Sequence, residues 1–72
     1  MNNLDVIETR KLQEAKEKLG GFDRQVIEAI ENGYWNKKVY TNRKGENTIY
    51  VNNKPYYPSD RLAEFLKTFN ID

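Results

Sequence analysis

The sequence predicts an α+β domain in which two N-terminal helices precede a three-stranded antiparallel β-meander and a C-terminal helix packs on one face of the sheet. Three observations carry that expectation. Apolar residues recur at helical spacing up to Asn32, alternate from Tyr34 onward, and return to helical spacing after Pro58. Paired Gly and Asn residues punctuate the chain where the period changes. The lengths of the two hairpin loops also bring the apolar strand residues onto one face without adjustment.

Asn3 or Asp5 is expected to cap a first helix whose inner face carries Leu4, Ile7, Leu12, Ala15 and Leu19, with Gly20-Gly21 ending it. Phe22 then reads as an apolar anchor and Asp23 as the cap of a second helix, with Val26, Ile27 and Ile30 inward and Asn32-Gly33 as its stop. Strands are expected over 34–42, 47–52 and 54–57. Asn42-Arg43-Lys44-Gly45 suits a type I turn closed by a left-handed glycine, and Asn52-Asn53 suits a two-residue type I′ turn. If Asn42 pairs with Glu46, Val39 falls opposite Ile49 on a face shared with Trp35 and Val51, and the second turn adds Tyr56. Ser59, after Pro58, caps a last helix whose Leu62, Phe65, Leu66 and Phe69 form a stripe that needs that face to cover.

With 72 residues the chain reads as a single domain, 1–72. A core of that size leaves a net stability of about 3–5 kcal/mol. Cys and His are both absent, which excludes disulfides and Cys or His metal ligation. Self-association as a homodimer is the remaining device for added stability. No apolar run approaches the ~20 residues a membrane span needs. Asp5, Glu8, Arg10 and Lys11 interrupt any signal-like core, so a cytoplasmic protein without a membrane partner is expected.

Catalytic and cofactor sites are not expected either. Capping accounts for Ser59, the only serine. The Glu28/Glu31 pair reads as a solvated helix face, and Gly20-Gly21 lacks the spacing and Lys-Ser/Thr ending of a phosphate loop.

Function is expected in the middle of the chain. Residues 1–32 hold five basic and seven acidic side chains, whereas 34–58 hold five basic (Lys37, Lys38, Arg43, Lys44, Lys54) against Glu46 alone, together with all five Tyr and the one Trp. The strand register puts Lys38, Tyr40, Thr48, Tyr50 and Tyr57 on the face opposite the core, with Tyr34 and Asn36 towards one edge and Arg43 and Lys44 at a hairpin tip. Tyrosine rings stack on bases while Lys and Arg neutralise phosphates, so Lys38, Tyr40, Arg43, Lys44, Tyr50 and Tyr57 are the candidate nucleic-acid-binding residues. Tyrosines are also ordinary strand formers, and cross-strand pairs such as Lys38/Tyr50 and Tyr40/Thr48 also stabilise a sheet.

In its order of three strands then a helix, the segment from Trp35 to Phe69 resembles the arm-DNA-binding domains of tyrosine recombinases, which implies a sheet laid in a major groove. Residues 12–52 resemble a helix-turn-helix with a hairpin wing, which implies Asp23 to Asn32 as the recognition helix. A protein-binding inhibitor, antirepressor or adaptor using the same aromatic face is the alternative, favoured by the net charge of +1. The short, Asn- and Lys-rich composition fits a regulatory protein of bacterial, phage or mobile-element type.

Overall fold

The computed structural model describes residues 4–69. Asn3 lies outside the described residues, and the first cap is Asp5. Its carboxylate accepts the Glu8 N–H at 2.7 Å while the Glu8 carboxylate accepts the Asp5 N–H at 3.1 Å, a reciprocal capping box that starts α1 (Val6–Lys18). Leu12 and Ala15 are buried, and Leu4 and Leu19 pack against the core. Ile7, expected inward, is 66% exposed. It lies about 140° round the helix from Leu12 at 3.6 residues per turn, whereas Glu8 continues the inner row.

The helix ends on Leu19 in an extended conformation, so Gly20 does not close it as a left-handed cap. Positive φ (60°) falls instead on Gly21, which opens α2 (Phe22–Asn32). Asp23 is therefore not the cap of α2. It sits in the first turn, and its carboxylate accepts the backbone N–H of Ser59 at 3.0 Å and the Ser59 hydroxyl, tying α2 to the start of the last helix. Val26, Ile27 and Ile30 are fully buried, as their spacing predicts.

The sheet has the order β1 (Tyr40–Thr41), β2 (Asn47–Val51), β3 (Lys54–Tyr56), all antiparallel. Tyr40 pairs with Thr48 and Ile49 with Tyr56, the register the turn chemistry implies. Gly45 takes φ 83° at the first turn, and Asn52 and Asn53 take 54° and 65° at the second.

The first strand is much shorter than 34–42. Extending the Tyr40–Thr48 pairing backward would set Lys37 against Val51, but Trp35 bridges Val51 instead, two residues earlier. The extra pair is looped out through Lys37, whose φ is 63°, and the Asn36 side chain accepts the Lys38 N–H at 3.1 Å. A short amide side chain offers the backbone this local bond in competition with the ladder. Because two residues are looped out, strand parity survives and Trp35 still points into the core.

Ser59 caps α3 (Asp60–Lys67), accepting the Leu62 N–H at 3.3 Å. Leu62, Leu66 and Phe69 join α1, α2 and the Trp35/Ile49/Val51 face in one cluster, with Val39, Tyr56 and Phe65 packed around it. The rings of Trp35 and Phe69 are 5.7 Å apart, and the Trp35 Nε1–H donates to the Lys38 carbonyl at 3.1 Å. Asn47, buried at the start of β2, donates to Asp60 at 2.8 Å and accepts from the Thr41 hydroxyl at 3.2 Å, so its polar atoms are matched. Two shielded ion pairs hold α1 to its neighbours: Lys16–Glu31 at 2.7 Å and Lys37–Glu8 at 2.9 Å. The first takes Glu31 out of the solvated face expected for it. Among the described residues, no helix is long and apolar enough to cross a membrane.

Candidate nucleic-acid interface

Alternation along β2 sends Asn47, Ile49 and Val51 into the core, with Thr48 and Tyr50 on the opposite face. Tyr40 stands opposite Thr48, and Pro55 opposite Tyr50. The Tyr40 and Tyr50 rings meet edge to face, 5.7 Å between centroids with planes 68° apart. Edge-to-face contact is a favoured aromatic geometry and limits how far either ring can swing. Even so, Tyr40 is 45% exposed, Tyr50 44% and Tyr57 58%. Tyr34, at the edge, is also open to solvent. The Asn36 side-chain amide donates to the Tyr40 hydroxyl at 3.2 Å, which fixes that end of the Tyr40 side chain.

Arg43 and Lys44 are exposed at the β1–β2 tip. Asn42 makes that tip firm: its side-chain oxygen accepts from Lys44 N–H and Glu46 N–H, both at 2.9 Å, and its amide donates to the Glu46 carboxylate at 2.8 Å. The only carboxylate of the segment 34–58 is thereby engaged within the turn. Lys38 is exposed, its backbone fixed at both N–H and carbonyl. It stands outside the ladder, so the expected cross-strand pairing with Tyr50 is not part of the sheet register.

Of the six candidate residues, Tyr40 and Tyr50 are in ring contact, Arg43 and Lys44 share the tip, and Lys38 and Tyr57 flank the tyrosine pair on the loop before β1 and the residue after β3. Sequence reasoning counts Lys54 in the basic segment without placing it: paired with the inward-facing Val51, it is exposed beside the second turn on the core side of the sheet, not on the tyrosine face. The same reasoning missed that Lys37 is drawn away to Glu8, and that Asn36 orients Tyr40.

The helix-turn-helix expectation fares less well chemically: outside its buried stripe α2 exposes Arg24 and Gln25 alongside Glu28. A separate groove of about 260 Å³ lies between α1 and α3, lined by Lys11, Glu14, Lys18, Leu19, Arg61 and Phe65 among others. Among the described residues, no group of three or more His, Cys, Asp or Glu is placed to hold a metal ion. Compared with known protein families, with curated proteins and with solved structures, the chain matches none of them.

Proposed function

We propose that this chain is a non-enzymatic binding module that engages nucleic acid through the tyrosine-bearing face of its sheet. One observation carries the reading: Tyr40, Tyr50 and Tyr57 are left about half exposed on a face bordered by Lys38, Arg43 and Lys44, while Glu46, the one carboxylate of residues 34–58, is held in its own turn. An aromatic in a folded domain normally gains by burial, and these rings forgo that gain. Cations beside open rings suit phosphates beside bases.

The non-catalytic part of the proposal is supported by the lack of His and Cys and by the engagement of Ser59 as a helix cap bonded to Asp23. A regulatory or accessory role in the cytoplasm of a bacterium, or in a phage or mobile element, completes the reading. The net charge of +1 favours the alternative, in which the same face anchors a protein target as an inhibitor, antirepressor or adaptor.

The salt response separates the two. Retention on immobilised heparin and titration with a mixed-sequence oligonucleotide pool, single- and double-stranded together, should show log K falling linearly with log salt. Lys44→Ala should reduce that slope by nearly one unit. No oligonucleotide binding at 50 mM salt would reject the nucleic-acid reading and leave the protein-partner one.

A further inference from the structure

Resting on that reading, we infer that the ligand of the sheet face is single-stranded nucleic acid, taken by stacking with little regard to sequence. Reading a duplex requires side chains with uncommitted hydrogen-bonding groups to meet base edges in a groove. Here the amides of Asn36, Asn42 and Asn47 are spent internally. Both ends of the Asn36 amide are used, one on Lys38 N–H and the other on the Tyr40 hydroxyl. Asn42 is occupied by its own turn, and Asn47 is buried against Asp60 and Thr41. What the face presents instead is ring surface, with the Tyr40 and Tyr50 planes 68° apart. A duplex hides the faces of its bases and offers only edges and phosphates. Bases able to lie one on each of two inclined rings are unstacked ones, and each base has such a face whatever its identity.

The charges fit a strand that crosses the face. Arg43 and Lys44 lie beyond the start of β2, at the β1–β2 tip, whereas Lys54 pairs with the inward-facing Val51 and so stands on the other side of the sheet. The five residues of β2 span about 17 Å at ~3.4 Å per residue. Cations at one end of β2 with rings along it make a short track, on the scale of the two or three bases that a sheet can stack.

The test is fluorescence anisotropy with a labelled oligo-dT and with the same strand annealed to oligo-dA, at several salt concentrations. The single strand should bind at least tenfold tighter than the duplex. Tyr50→Leu, which keeps apolar bulk on the sheet, should weaken single-strand binding by about 5- to 150-fold without changing the salt slope, whereas Tyr50→Phe should bind as the parent does. Circular dichroism of each variant should match the parent, so that lost binding reports the ring. Duplex binding equal to or tighter than single-strand binding would overturn the inference and leave the nucleic-acid reading standing. Single-strand binding that is indifferent to Tyr50→Leu would overturn it as well. Failure to bind either form would overturn both the inference and the reading beneath it.

Discussion

Gly33→Ala should destabilise the protein, although nothing about its backbone demands glycine. Its φ is −138°, an extended conformation that any residue adopts. Space is what excludes a side chain: a Cβ at this position would stand 2.5 Å from Asn52 Nδ2 and 2.8 Å from Val51 Cγ1. Favourable carbon contacts lie at about 3.5–4.0 Å. Neither neighbour can withdraw cheaply. Asn52 accepts the Tyr34 N–H on its side-chain oxygen at 3.0 Å and donates its own N–H to the Tyr34 carbonyl at 2.9 Å, and Val51 is buried in the core.

Over-packing costs about 1–3 kcal/mol. Losing the side-chain bond to Tyr34 adds about 0.5–1.5 kcal/mol. Stiffening the unfolded chain returns about 0.4–1 kcal/mol. The balance is a loss near 2 kcal/mol, or about 8–16 °C in melting temperature for a domain of this size. Gly20→Ala is the matched control, because its Cβ would meet nothing within 4 Å and its φ is not in the left-handed region. That substitution should be neutral or stabilising by up to about 1 kcal/mol. Urea and thermal melts of both variants decide the matter, and a Gly33→Ala protein as stable as the parent would refute the reasoning. Asn52→Gly should recover part of the Gly33→Ala loss, since two of the three closest atoms belong to Asn52 and its φ of 54° suits glycine.

Leu62→Ala should cost about 2–5 kcal/mol and nearly unfold the domain, with the half-buried Phe65→Ala milder; thermal melts showing the reverse order would contradict the packing of α3. Ser59→Ala removes both a helix cap and the hydroxyl bond to Asp23 and should cost about 1–2 kcal/mol in urea titrations. Asp23→Ala added to it should cost less than the two single losses together, because the residues share one interaction.

Much of this fold is legible in the sequence because local chemistry and global parity agree. Asn52-Asn53 and Gly45 take the positive φ their turns require, and from those loop lengths the register of all three strands follows. The stripe Leu62, Leu66, Phe69 and the row Val26, Ile27, Ile30 were equally plain, since both repeat at helical spacing and both are buried. Two of the misreadings share a cause. Asp23 and Glu31 are judged by residue type and local spacing, whereas their roles are set by partners far along the chain; Ile7 differs, because helical spacing itself turns it about 140° from Leu12. Asp23 is satisfied by Ser59 and Glu31 by Lys16, contacts across 36 and 15 residues that no local pattern encodes. The candidate site was legible in its rings and in its excess of charge. Which lysine remains available was not, because Glu8 claims Lys37 across 29 residues.

The looped-out segment of the first strand links that misreading to the site. A left-handed non-glycine residue such as Lys37 costs on the order of 1 kcal/mol, and such departures persist where surrounding structure holds them. Here the Glu8 ion pair and the Asn36 side chain do the holding, and the result orients Tyr40 and carries Lys38 out of the ladder. If the segment serves the binding face and not the fold, deleting Asn36 and Lys37 together should leave a folded protein. Removing two residues preserves parity, so Trp35 would reach Val51 through a continuous ladder and stay in the core. Deleting Lys37 alone shifts parity by one and should turn Trp35, the largest fully buried side chain, towards solvent, which unfolds a domain with only about 3–5 kcal/mol to lose. Circular dichroism and thermal melts should therefore show the two-residue deletion folded and the one-residue deletion unfolded. The double deletion should also bind single-stranded oligonucleotides more weakly, because Tyr40 loses its amide partner. A folded single deletion beside an unfolded double one would mean that the segment is a structural necessity, and that its strain has no bearing on the face it borders.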